Sequence, residues 1–234
     1  MPTSSESSSR LRVFSSSVGT KLLIGITGLA LFGYLLIHIA GNLVVFFGPN
    51  AFNRYAFVLE SNPLLIVIEL LLLLVFLVHI YKAIRMFLAN QAARPVNYVQ
   101  KRSAGYTTRK SVASTTMIVS GLWLLGFVVI HAKTFRDGWG HQYEWPAGGR
   151  DLYRQEMEVF SNPLVVGFYV LTMAVVGSHL WHGLGSSLQS LGLVHDRWTP
   201  RFLAIGKALA VLIAVAFMAI AIWAYLRQAG TVRA

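Results

Sequence analysis

The segment GLALFGYLLIH, residues 28–38, recurs as GLWLLGFVVIH at residues 121–131. Both copies fit the pattern G-L-x-L-x-G-x-x-x-I-H, an apolar stretch that ends on a histidine. Each copy lies within an apolar run of about 20 residues, the length at which a helix crosses a bilayer. Because matched segments indicate a duplicated unit, the sequence predicts two related membrane-spanning helices.

A second pair of matched segments supports the same duplication. The tetrapeptide SNPL stands at residues 61–64 and again at residues 161–164, and a histidine follows each copy at the same offset, His79 and His179. Asn or Ser suits a helix N-cap and Pro suits the first helical turn, so SNPL predicts a helix start. The chain is therefore interpreted as a helix pair written twice, followed by a fifth helix.

The composition is that of a membrane protein. Of 234 residues, 55% are hydrophobic and 12% are charged, whereas a soluble domain carries about a quarter charged residues. We predict an all-α integral membrane protein with five transmembrane helices, four of them forming a bundle. The predicted spans are about 22–47, 64–88, 112–132, 163–189 and 203–226, between a retained polar tail at 1–21 and a short tail at 227–234. The absence of cysteine excludes disulfides and cysteine-held metal clusters within this chain.

The distribution of basic residues predicts the orientation. Most of the 20 Lys and Arg residues lie in the N-terminal tail and in the second and fourth connections: Arg10, Arg12, Lys21, Lys82, Arg85, Arg94, Lys101, Arg102, Arg109, Lys110, Arg197, Arg201 and Lys207. The positive-inside rule then puts the N-terminus in the cytoplasm and the C-terminus outside. The net charge of +11 is accordingly interpreted as basic cytoplasmic loops and not as a surface for nucleic acid.

Four histidines fall at two predicted depths. At a rise of about 1.5 Å per residue, His79 and His179 lie roughly 24 Å inward from the prolines that start their helices. His38 and His131, on helices that run outward, fall in the outer half of the bilayer. The four therefore form an inner pair, His79 with His179, and an outer pair, His38 with His131.

Paired imidazoles at two depths predict two b-type haems. Ionisable residues inside a membrane are functional candidates, and two facing neutral imidazoles supply both axial ligands of one haem iron. For one lone histidine, a hydrogen bond between helices is the simpler interpretation. Zinc would want more ligands at each site, and a proton relay would recruit carboxylates, of which only Glu69 lies within a span.

Other residues carry weaker signals. The repeated glycines could let a porphyrin approach or could serve ordinary helix packing; they are Gly28, Gly33, Gly121 and Gly126. His141 and His195 are expected at the surface. Two roles are possible for His182. HLWH puts it one turn inward of His179, where it could bind a haem propionate or contact a lipid headgroup. The repeat aligns His182 with Lys82, which argues against a ligand role.

The histidine frame, the five spans and the stretch HLWHGLGSSLQSLG after the fourth histidine resemble the dihaem cytochrome b membrane anchor of succinate:quinone oxidoreductases. The resemblance is to the single-subunit type B anchor of bacterial succinate dehydrogenases and fumarate reductases, and it covers about residues 17–226. It implies two haem b groups and a quinone substrate, with menaquinone expected. It also implies a bacterial cytoplasmic membrane location and a place in the respiratory chain and tricarboxylic acid cycle.

The same resemblance implies partners for this chain. A flavoprotein and an iron–sulfur subunit would dock on the cytoplasmic face, so the chain would carry electrons between them and quinone without oxidising succinate itself. The basic stretch 91–111 could dock such a partner or bind anionic lipid headgroups. The direction of the reaction stays open.

The resemblance also implies a carboxylate for quinone proton exchange on the outer side. Glu60, in VLESNPL, stands where that residue is expected, and an exposed loop carboxylate is the alternative. Glu69, about two turns into the second span, is the competitor.

Rival functions remain open. The dihaem cytochromes b of nitrate reductase, hydrogenase and formate dehydrogenase are one class. A haem-free transporter or structural protein, whose histidines only join helices, is another.

Overall fold

The computed structural model describes residues 16–93, 112–136 and 143–231, and this part of the chain is built from helices. Helix α1, Ser17–Asn42, continues into a 3-10 helix, Leu43–Phe47. The others are α2 (Pro49–Glu60), α3 (Leu64–Ala92), α4 (Val112–Thr115), α5 (Met117–Arg136), α6 (Leu152–Val159), α7 (Pro163–Ser190) and α8 (Thr199–Thr231).

Five of these helices are long and apolar enough to cross a membrane: α1 with its 3-10 extension, α3, α5, α7 and α8. The prediction of five spanning helices is confirmed. Helix α1 begins at Ser17 instead of residue 22, because the Ser16 side chain accepts a hydrogen bond from the Gly19 amide and caps the helix there. The third span begins at Met117, after the separate turn α4, and not at residue 112.

Both SNPL segments start helices as the sequence predicts. The side-chain oxygen of Asn62 accepts a hydrogen bond from the Leu64 amide at 2.9 Å, and Asn162 accepts one from the Leu164 amide at 2.9 Å. Each asparagine satisfies an amide that has no partner within its helix. The two copies are alike in the structure as well as in the sequence.

Helix α7 is the centre of the bundle. It packs most extensively against α8 and also contacts α1 and α5, while α3 packs against α1. Helix α3 has no buried residue, although its sequence is almost wholly apolar. An apolar helix that is exposed on the protein can be solvated by lipid, so this pattern agrees with a bilayer around the bundle.

Two short helices that the sequence analysis did not predict, α2 and α6, lie against each other at one end of the bundle and are called the cap. Buried Asn53 on α2 donates to the Asp151 carboxylate at 2.7 Å and accepts from the Tyr153 amide at 2.9 Å. The cap joins the end of α1 to the start of α3 and precedes α7. We call this end of the bundle the cap side; it is the side predicted from the basic residues to face outward.

The polar tail at 1–15, most of the basic stretch 91–111, His141 and residues 232–234 lie outside the described residues.

Candidate functional site

His38 and His131 meet near the cap and form the cap-side pair. Their ring centroids are 5.9 Å apart, with the ring planes nearly perpendicular. Tyr34 stacks on His38 at 5.4 Å, and Phe127 stacks on His131 at 5.3 Å. The structure thus brings together the two histidines that the sequence pairs in the outer half of the bilayer.

His79 and His179 lie further from the cap and form the far-side pair. The Thr27 hydroxyl is 3.1 Å from Nδ1 of His79, and the Ser120 hydroxyl is 2.9 Å from Nδ1 of His179. His179 is also close enough to His79 for the two to interact electrostatically.

The two pairs occupy different levels of the bundle. On α1, Thr27 lies at the far-side level and His38 at the cap-side level. The number of residues between them equals the number between Ser120 and His131 on α5, and each spacing corresponds to about 16 Å of helix. One level is therefore nearer the cap than the other.

Thr27 and Ser120 occupy equivalent positions of the repeat, immediately before Gly28 and Gly121. Sequence analysis missed both, although extending the repeat by one residue toward the N-terminus would have found a hydroxyl in each copy. Each hydroxyl therefore belongs to the duplicated unit together with the histidine that it contacts.

The hydroxyl hydrogens indicate which ring nitrogen of each far-side histidine is free. Thr27 donates its hydroxyl hydrogen to the Leu23 carbonyl at 2.6 Å, and Ser120 donates to the Met117 carbonyl at 3.0 Å. With its hydrogen on that carbonyl, each hydroxyl oxygen accepts from its histidine, and the histidine then carries its hydrogen on Nδ1. The Nε2 atoms are left as bare acceptors, the form in which an imidazole binds a metal.

The hydrogen bonds at the cap-side pair differ. Nδ1 of His131 lies 3.3 Å from the Tyr169 hydroxyl, which can donate or accept. Nδ1 of His38 lies 3.4 Å from the Asn42 amide nitrogen, which only donates and so favours a hydrogen on Nε2 of His38. Metal binding through that Nε2 would require this long contact to break, while Asn42 keeps its 2.8 Å bond to the His38 carbonyl.

The donor set fits haem iron in number and in chemistry. Both protein ligands of a haem iron can be imidazoles, and the cap-side rings lie 5.9 Å apart. No group of three or more His, Asp or Glu side chains that could hold a metal ion occurs among the described residues. A haem iron needs only two imidazoles from the protein, because the porphyrin supplies the other ligands.

The repeated glycines divide into two kinds. A Cβ atom at Gly28 would lie 3.3 Å from Cε1 of His79, and one at Gly121 would lie 3.6 Å from Cε1 of His179. These two glycines give room to the far-side rings. A Cβ at Gly33 or Gly126 would meet nothing within 4 Å, so both face open space.

The remaining predicted site residues lie at the two ends of the bundle. His182 is half-buried, near His179 and further from the cap. The Glu69 carboxylate pairs with the Arg136 guanidinium at 3.3 Å, and Glu60 pairs with Arg150. His195 is exposed, as expected.

Arg150 ties Glu60 to the end of a spanning helix. Its guanidinium binds the Glu60 carboxylate and also donates to the carbonyls of Phe135 and Arg136, each at 3.0 Å. Those carbonyls end α5, where a cation is favourable. Glu60 is therefore a half-buried, paired carboxylate at the end of α5 rather than a free loop residue, and sequence analysis gave Arg150 no role.

The described chain is thus a helical protein with five helices able to cross a membrane; His38 and His131 are in ring contact near the cap, and His79 and His179 each contact a hydroxyl further from it. Comparison with protein-family models, with curated proteins and with solved structures finds no match to this chain.

Proposed function

We propose that the protein is a dihaem cytochrome b, the type B membrane anchor and electron-transfer subunit of a succinate:quinone oxidoreductase. In this proposal His38 and His131 hold one haem and His79 and His179 hold the other. The partners are a flavoprotein and an iron–sulfur subunit on the cytoplasmic face, and the substrate is a membrane quinone. The bacterial cytoplasmic membrane is the proposed location, with the N-terminus in the cytoplasm.

The observation that carries the proposal is the duplicated contact between a hydroxyl and a histidine. Thr27 with His79 and Ser120 with His179 repeat the same bond in two copies of one helix pair. Each bond uses Nδ1 and leaves Nε2 available. Such a bond also joins two helices, but in both copies it leaves available the nitrogen that a metal ligand needs.

Residues at the two levels would have different roles. Bound haem would supply one-electron transfer between the soluble partner and quinone. Thr27 and Ser120 orient the far-side rings, and Tyr169 orients His131. Near the cap, Glu60 or Glu69 would exchange protons with quinone, each held in place by an arginine.

The experiment is to purify the protein from its native membrane, measure haem by pyridine haemochrome assay and relate it to protein mass. We expect two haems per chain. A ratio near zero would overturn the proposal and favour a haem-free transporter or structural protein, and a ratio near one would remove one pair. Subunits that purify with the chain would distinguish a succinate:quinone oxidoreductase from nitrate reductase, hydrogenase or formate dehydrogenase cytochromes.

A further inference from the structure

Glu156 is a buried carboxyl group that no function assigned above uses. It lies on the cap helix α6, where its exposed fraction is 4%, although glutamate is rarely buried without a partner. Helix α6 presents Arg154 and Glu158 to the exterior, so the carboxyl is one helix width from the surface. A buried acid at this position needs a physical reason.

The duplication allows Glu156 to be compared with the equivalent residue of the other copy. Aligning the two SNPL segments puts Glu156 on Ala56 of the other cap helix, and Ala56 is also buried. Packing at this position of the unit is therefore satisfied by a small apolar side chain. The carboxyl of Glu156 is an addition that packing does not require.

Tyr169 lies near both Glu156 and the cap-side histidine His131. Glu156 lies one turn before Phe160 on the same face, and the Phe160 ring contacts Tyr169 edge to face at 5.0 Å. Glu156 and Tyr169 are also close enough to interact electrostatically. The Tyr169 hydroxyl lies 3.3 Å from Nδ1 of His131, so Tyr169 contacts a proposed haem ligand and also interacts with Glu156.

Burial raises the pKa of Glu156 to about 8. The other titratable side chains on α6 and its N-cap, and on the helices packed against it, are Arg54, Tyr55, Glu60, His131, Lys133, Arg136, Asp151, Tyr153, Arg154, Glu158, Arg201, Lys207, Tyr225 and Arg227. Several have partners elsewhere: Arg136 pairs with Glu69, and Arg227 lies over the Trp223 ring. The carboxyl is thus poised to change its protonation near neutral pH, where a nearby change of charge would have most effect.

We propose that Glu156 binds one proton when an electron reaches the cap-side haem and releases it when the electron leaves, with Tyr169 linking it to His131. The inference rests on the proposed function. When the haem that His38 and His131 would hold accepts an electron from the soluble partner, a Glu156 carboxylate oxygen would bind one proton from water. When quinone takes that electron, Glu156 would release the proton to water.

The direction in which the midpoint potential changes with pH follows from electrostatics. Ferric haem carries one more positive charge than ferrous haem, so it favours the carboxylate, and ferrous haem favours the acid. The midpoint potential of the cap-side haem should therefore fall as pH rises through the titration of Glu156. The slope is at most about 59 mV per pH unit for one proton and one electron. The potential of the far-side haem should change much less.

The test is a redox titration of both haems between pH 6 and pH 9 in the purified complex. Glu156→Gln should retain both haems and abolish the pH dependence of the cap-side potential, leaving it at the higher value of the neutral form. Glu158→Gln, on the exposed face of the same helix, should behave as the native protein. Tyr169→Phe should reduce the dependence while leaving Glu156 in place.

Infrared difference spectra give a second readout. Reduction of the native protein should produce a carboxylic acid C=O band that is absent in Glu156→Gln and present in Glu158→Gln. Two haems with the same pH dependence in Glu156→Gln and native protein would overturn this inference and leave the proposed function standing. Absence of haem from the native protein would overturn both.

Discussion

At the scale of single residues, two hydroxyl groups define the chemistry of the far-side histidines. Thr27 and Ser120 each donate to a backbone carbonyl of their own helix and accept from a histidine on another. The first bond orients the hydroxyl, so the second fixes the tautomer of the imidazole. The ring nitrogen that faces away is the one a metal would use.

Removing these hydroxyls should weaken the far-side site. We expect Thr27→Val and Ser120→Ala each to lower affinity for the far-side haem by about 10- to 100-fold, because loss of such a supporting partner typically costs that much. Haem content and the reduced-minus-oxidised spectrum measure the loss. Thr116→Val is the matched control, since its hydroxyl bonds only to backbone of α4. Equal retention of haem in all three variants would contradict the role given to the hydroxyls.

A second residue-scale prediction separates two histidines on α7. His179→Leu should lose one haem, because it removes a far-side ligand, whereas His182→Leu should retain both haems. The Ser120 bond supports this choice, since it fixes His179, while the repeat aligns His182 with Lys82. The pyridine haemochrome assay on each variant measures the outcome. Loss of haem from His182→Leu with retention in His179→Leu would exchange their roles.

At the scale of helices, the long spans and the asparagine N-caps that start them could be predicted from the sequence. The α2–α6 pair at the cap side could not. Long apolar runs and the SNPL starts are local signals, and both appear in the structure. Helices α2 and α6 are short, and their stability comes from contacts between distant segments, such as Asn53 with Asp151. The pairing of histidines was predicted from the repeat. The burial of Glu156 depends on how α6 packs, and nothing in the local sequence indicates it.

The cap also determines the setting of Glu60. Because Arg150 joins Glu60 to the end of α5, Glu60→Gln should keep a hydrogen-bond acceptor there while removing the charge. We expect both haems to remain and quinone turnover to fall by at least about tenfold, within the range for loss of an acid–base group. Steady-state turnover with a quinone analogue measures the effect, and exposed Glu144→Gln is the control. Unchanged turnover in Glu60→Gln would transfer the role to Glu69.

At the scale of the whole molecule, the duplication determines how the site is assembled. A helix pair returns the chain to its starting side, so the two copies run parallel and equivalent histidines arrive at equal levels. Helix α7 contacts α1, α5 and α8, which holds both copies in one bundle. The charge of the connections predicts a direction for this bundle in the membrane.

That direction predicts which side each connection faces. Most basic residues lie away from the cap, so the positive-inside rule places the cap outside and the connection between α7 and α8 in the cytoplasm. The chain has no cysteine, so one introduced cysteine reports a single position. Arg154→Cys on the cap should react with a membrane-impermeant maleimide in intact cells. Asp196→Cys, between α7 and α8, should react only after permeabilisation, since both positions are exposed on the protein and only the membrane separates them. The reverse labelling would place the cap-side histidines next to the cytoplasm, and the cap-side haem would then be the one that receives electrons from a soluble partner.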